Sequence, residues 1–180
     1  MSKLSEDIRH QVWIDVSSGL EYIHAQNILH LDIKPQNILL GYGGQAKICD
    51  FGFSVQSAIS MAYGGGTPDY IPPEYVDSGE RGRPADVWAL GITMLFVLGF
   101  VPLPNGDWMI GDVRKKTAAQ EKMLAWLKQV QRIVESVPDT LSPLRQMLIR
   151  APKNRITPSR LASDLHTMPW IEVPSGELLV

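Results

Sequence analysis

The sequence predicts a mainly α-helical fold with one small antiparallel β-hairpin. Three observations lead there. Apolar residues recur at helical spacing near both ends of the chain. A Gly-rich turn separates two short runs of strand formers between residues 37 and 49. The longest apolar stretch, Val87 to Val101, is shorter than the roughly 20 residues a membrane span needs, so it reads as a buried core helix.

Taken in order, Ile8, Val12, Trp13, Val16, Leu20 and Ile23 give residues 5–25 an amphipathic helix. "NILL" at 37–40, the turn "GYGG" at 41–44 and "AKIC" at 46–49 form the hairpin, the only ribbon expected. A glycine-broken loop covers 50–73. Pro84, with Asp86 in the first turn, opens a helix over 85–98. "PLPNGD" is a turn. Met123, Leu127, Val130 and Val134 mark a helix over about 117–135. Its Trp126 is either ordinary packing or a partner contact. "LSPLRQMLIR" and "TPSRLASDLH" give two short helices, the second capped by Thr157 ahead of Pro158.

The 180 residues are 44% hydrophobic and 20% charged, which suits one globular domain, expected over 1–172 with a tail at 173–180. A formal net charge of -2 offers no basic field, so neither nucleic acid nor an anionic membrane is expected as a partner. Cys49 is the only cysteine, which forbids an intrachain disulfide and fits a reducing compartment. The start "MSKLSEDIRH" has no apolar signal core, so the expected location is cytoplasmic or nuclear.

The chemistry-bearing stretch is "HLDIKPQN", residues 30–37. Pro35 holds it as a loop, which can aim Asp32, Lys34 and Asn37 at one point. Asp32 can orient a hydroxyl and receive its proton; Lys34 supplies a positive charge; Asn37 offers an amide oxygen to a hard cation. Asp50 follows Asn37 by 13 residues, with Phe51 and Gly52 after it, and the hairpin between them folds Asp50 back toward Asn37. Such an Asp and Asn suit Mg²⁺, so the group reads as half of a phosphoryl-transfer site. Taken singly, each of these residues is more commonly a turn cap.

These motifs resemble those of the eukaryotic protein kinases. "HLDIKPQN" resembles the catalytic loop H-R-D-x-x-x-x-N, and "DFG" at 50–52 is the family's metal-binding triplet. "GTPDYIPPE" at 66–74 resembles the docking segment ending in A-P-E, with Pro72 in place of Ala. "DVWALG" at 86–91 resembles the start of the central helix, and "PKNRITP" at 152–158 the late segment bearing the paired Arg. The likeness covers roughly residues 5–170 and only the C-terminal, helical lobe of the kinase fold.

The resemblance implies a serine/threonine kinase using ATP and Mg²⁺ on a protein substrate. It makes Asp32 the catalytic base, Lys34 the residue steadying the transferred phosphate, and Asn37 and Asp50 the metal ligands. Thr67 would touch Asp32 and Lys34. Glu74 and Arg155 would pair, and Asp86 would accept N–H bonds from the turn at His30. His30 and Phe51 would brace the site, and Gly52 would serve as a hinge. Cys49 would face the nucleotide pocket, though a small buried hydrophobe is its simpler role.

Two departures stand out. Leu31 replaces the Arg that pairs with a phosphorylated activation loop in the family. Modification of Ser54, Ser57, Ser60 or Tyr63 is therefore not expected to be the main on-switch. There is also no Gly-rich loop, strand Lys or helix Glu ahead of residue 30; "GYGGQA" lies after the catalytic loop and cannot substitute. The chain alone is thus expected to bind ATP weakly. The face that the other lobe covers in the family should be apolar and open to another protein or to self-association. The alternative reading is a catalytically inactive, kinase-like scaffold or partner-binding module.

Overall fold

A computed structural model of the chain describes residues 4–60, 65–115 and 117–168. The helix α1 (Glu6–Ala25) starts at Ser5, whose Oγ accepts from the Ile8 amide at 3.4 Å, and carries Glu6 and Asp7 in its first turn, where carboxylates complement the helix dipole. Val12, Trp13, Val16, Leu20 and Ile23 turn inward from it, at the expected spacing.

After α1 the chain makes β1 (Ile28–Leu29), then β2 (Ile38–Leu40) and β3 (Ala46–Ile48), then β4 (Val55–Gln56) and β5 (Ile59–Ser60). The pair β2–β3 is the expected hairpin, in register Ile38↔Ile48 and Leu40↔Ala46. The expectation of a single ribbon is corrected: β1 pairs antiparallel with β4, and β5 with β6 (Arg81–Gly82), so the 50–73 region is partly strand. These two pairs are two residues long on each side, too short to show an alternating pattern in sequence.

The short α2 (Glu74–Asp77) leads to β6 and then to α3 (Arg83–Val97), the axis of the molecule. Pro84 occupies its first turn, where a missing N–H costs nothing, and every residue from Ala85 to Leu95 is buried. A helix apolar all round must be enclosed. Around it lie α4 (Ala118–Ser136), α5 (Ser142–Met147) and α6 (Pro158–Thr167). Thr157 caps α6 as expected, its hydroxyl accepting from the Arg160 amide at 3.3 Å. Met123, Leu127 and Val130 bury one stripe of α4. Trp126 is half-buried and its indole N–H donates to the Asp69 carbonyl at 2.7 Å, so it is packing.

Among the described residues no helix is long and apolar enough to cross a membrane. Apolar side chains do reach solvent on the hairpin, where Leu39, Leu40 and Tyr42 are exposed, and on α1 at Tyr22. The tail at 173–180 lies outside the described residues.

Candidate active site

The catalytic-loop segment follows β1 and is held from beneath by one carboxylate. Asp86, fully buried in the first turn of α3, accepts from the His30 amide at 2.9 Å and the Leu31 amide at 2.8 Å. Its Oδ2 also meets His24 Nε2, from α1, at 2.8 Å. Leu31 itself sits at φ +66°, a left-handed conformation that costs a branched side chain about 1–2 kcal/mol. Its N–H bond to Asp86 helps to hold that geometry.

His30 braces the loop from the other side. Its Nδ1 accepts from the Asp32 amide at 3.3 Å, and its Nε2 lies 3.1 Å from the Cys49 carbonyl. The neutral ring with its proton on Nε2 satisfies both bonds at once. Phe51 stacks edge-on against it, with ring centroids 5.0 Å apart.

Asp32, only 2% exposed, is the hub of the site. Its Oδ1 accepts from the Thr67 hydroxyl at 2.7 Å. Its Oδ2 accepts from Lys34 Nζ at 2.8 Å and from the Asn37 amide at 3.0 Å. Lys34 Nζ also donates to Thr67 Oγ1 at 2.7 Å, closing a ring of three side chains. An ionised carboxylate has about four lone-pair positions. Three are taken here, which leaves one on Oδ1, beside Thr67, for an incoming O–H.

The Asn37 amide nitrogen also donates to the Asp32 carbonyl at 2.8 Å, so both its protons are spent and its carbonyl oxygen is left for a cation. The hairpin brings Asp50 back as expected: the Cys49 amide donates to the Asn37 backbone carbonyl at 2.9 Å, which sets Asp50 one residue from that rung. Asp50 is solvent-exposed, at φ +59°, and its Oδ1 accepts from the Gly52 amide at 3.1 Å. An exposed carboxylate and an amide carbonyl make a two-ligand oxygen set. That fits Mg²⁺, which takes one or two protein ligands and fills its other positions with water and phosphate oxygens. Among the described residues no cluster of three His, Cys, Asp or Glu side chains forms a metal cage. Cys49, next to Asp50 in the chain, is a half-buried free thiol.

The docking segment closes the site. Glu74 and Arg155 form the expected pair, two-pronged at 2.8 and 2.9 Å, with the Arg155 side chain fully enclosed. Gly66 is at φ +100°, and a Cβ there would lie 2.7 Å from the Leu31 carbonyl, so only glycine fits beside the catalytic loop. Tyr63 and Gly64 fall outside the described residues. Of the other modification candidates, Ser60 is buried, the Ser54 hydroxyl is enclosed, and the Ser57 hydroxyl donates to the Ile59 carbonyl at 2.7 Å.

Sequence reasoning missed three residues that hold this geometry. Arg81, buried at β6, donates to the Leu31 carbonyl at 3.3 Å. Asp69 accepts from the Gly106 amide at 2.6 Å, and burial raises its pKa despite that bond. His24 reaches Asp86 from α1. Asp69 stands inside "GTPDYIPPE", where the likeness gave it no role, and Arg81 and His24 stand in no motif.

A helical body that converges a Lys, an Asn and a Thr hydroxyl on one Asp, with D-F-G returned by a hairpin, defines a kinase-like molecule. The chain belongs to the protein kinase family: the family described as Protein kinase domain matches residues 1–171. It is 31% identical over 166 residues to an Aurora kinase of Dictyostelium discoideum, covering 88% of this chain and 38% of that protein. An Aurora kinase of Schizosaccharomyces pombe is 29% identical over 171 residues, covering 94% of this chain and 44% of that protein. A calcium/calmodulin-dependent protein kinase kinase of Caenorhabditis elegans is 45% identical over 107 residues, 55% of this chain and 20% of that protein. The chain therefore spans less than half the length of these curated relatives.

Proposed function

We propose that this chain supplies the hydroxyl-activating half of a serine/threonine protein kinase, acting in the complete protein on an intracellular protein substrate. The observation that carries this is the Asp32–Thr67–Lys34 ring with one Asp32 lone pair left beside the Thr67 hydroxyl. ATP with Mg²⁺ supplies the transferable γ-phosphoryl group and neutralises charge on it when bound. Asn37 and Asp50 are the residues that would hold the metal. Asp32 Oδ1 orients the substrate Ser or Thr O–H and takes its proton as the new O–P bond forms and ADP departs. Lys34 places positive charge beside the transferring group. The exposed hairpin residues Leu39, Leu40 and Tyr42 suit cover by another part of the protein, a partner or a second copy.

The test is phosphate transfer by the complete protein. With Mg²⁺ and ATP, mass spectrometry should find new phosphoserine or phosphothreonine on a protein substrate. D32N should cut the rate by about a hundredfold or more, the usual worth of a general base. D50N should raise the Mg²⁺ concentration that transfer requires. Nucleotide should raise the melting temperature of the 180-residue chain little, because bound ligand stabilises only as RT ln(1 + [L]/Kd). Wild-type transfer by D32N would overturn the assignment. Absence of transfer in the unmodified complete protein would favour the scaffold reading.

A further inference from the structure

Arg81 is almost fully enclosed, at 1% exposure, in a position that no motif marks. Burying a guanidinium is expensive unless it is paired and hydrogen-bonded, so its place needs a reason. Its Nη1 donates to the carbonyl of Leu31, the residue immediately before Asp32. Its guanidinium lies 5.6 Å from the centroid of the Tyr75 ring, at the end of the docking segment. It also packs under the glycine pair that opens that segment: a Cβ on Gly66 would meet Nη1 at 3.1 Å, and one on Gly65 would meet Nη2 at 3.7 Å. Its backbone pairs with Ser60 through β5–β6. One side chain thus touches the catalytic loop and both ends of the docking segment, while its strand holds the segment between.

Leu31 shows what this grip accomplishes. Both polar groups of this left-handed residue are held by buried charge: its N–H by Asp86 and its carbonyl by Arg81. Strained backbone persists only where its surroundings over-determine it. Asp32 is the next residue, and its carboxylate meets Thr67 of the docking segment. Burial pulls the Arg81 pKa down, while Tyr75, Asp86 and Asp32 push it back, and an arginine so placed stays protonated at neutral pH.

We propose that Arg81 is a positioning residue, a built-in cation that fixes the Leu31–Asp32 turn against Gly66 and Thr67 and so keeps the site assembled without a phosphorylated loop. This rests on the kinase reading for its effect on rate, but its effect on structure is independent of that reading.

The test compares R81M, R81K and R81A in the full chain by amide hydrogen exchange, and in the complete protein by phosphate transfer. In R81M, amides at 30–32 and 65–71 should exchange about tenfold faster or more, the loss expected when a charged donor leaves a buried acceptor. Those of α4 should keep their rates. R81K, which keeps charge but not the forked reach, should fall between. Guanidinium ion added to R81A should slow exchange in both segments again. Where transfer is measurable, kcat should fall more than KM rises, and guanidinium should restore kcat. Wild-type exchange at both segments in R81K and R81A, or uniformly faster exchange with no guanidinium rescue, would overturn the proposal. Should R81M not fold, R81K and guanidinium-treated R81A decide by the same criteria. Loss of local protection in a protein that transfers no phosphate would leave Arg81 standing and remove the kinase reading instead.

Discussion

Replacing Arg155 by Met should be among the most damaging single changes available to this molecule. The guanidinium makes five hydrogen bonds: two to Glu74, at 2.8 and 2.9 Å, and one each to the carbonyls of Pro84 at 2.7 Å, Ile149 at 3.0 Å and Arg150 at 3.3 Å. It also lies 5.1 Å from the Trp88 ring centroid. Its side chain is 0% exposed and that of Glu74 15%, so removing the arginine strands a carboxylate with little water and leaves three carbonyls without their donor. Breaking one partner of a buried pair costs about 3–5 kcal/mol. The orphaned carbonyls place R155M in the upper half of that range. For a domain of this size each kcal/mol moves the melting temperature by about 2–4 °C, so a fall of about 8–20 °C is expected. E74Q should cost less, about 1.5–3 kcal/mol, because the three carbonyls still receive Arg155 and the amide still accepts. The double variant should be less destabilised than the sum of the two, with a coupling of about 1–3 kcal/mol. Urea unfolding followed by near-ultraviolet circular dichroism measures all three variants. A loss under about 1 kcal/mol for R155M, or strict additivity, would refute the view that this pair clamps the docking segment to the core.

Three further variants carry expected outcomes. G66A should cost about 3 kcal/mol or more in urea unfolding, since it combines a left-handed backbone with a 2.7 Å approach to the Leu31 carbonyl. G43A, at φ +91° but with nothing within 4 Å, should cost only about 1–2 kcal/mol. Asp69 has a folded pKa raised above 3.8, chiefly by burial, so the folded state holds its proton more tightly than the unfolded chain does. Its contribution to stability is therefore full below about pH 4 and is lost as pH rises through the folded pKa. D69N should flatten that slope and raise stability at neutral pH relative to acid; an unchanged difference between the two proteins from pH 4 to 7 would contradict the burial argument.

Much of the fold was legible because it is written in repeating patterns. Helices α1 and α4 declare themselves through apolar spacing, α3 through an unbroken apolar run behind Pro84, and the hairpin through its Gly-rich turn. At the candidate site, Asp32, Lys34 and Asn37 were legible as a group because they stand close together in one Pro-fixed loop, and Asp50 because a Gly-rich turn folds the chain back after Asn37. What stayed hidden has no local pattern. The ribbons β1–β4 and β5–β6 join segments whose pairing depends on tertiary placement. Arg81 sits in "ERGRP", which reads as an exposed charged turn until the fold encloses it. Asp69 looks like a turn residue, yet it anchors the docking segment to Gly106 and, through its carbonyl, to Trp126.

The lone cysteine has a practical consequence. Cys49 is the only thiol in the sequence, and its backbone touches both Asn37 and His30. A single nitroxide or fluorophore attached there would need no mutagenesis and would have no competing site of attachment. Its signal would report changes in the surroundings of Asn37 and Asp50 from one position, so titrations with Mg²⁺ can be read optically or magnetically on the native polypeptide.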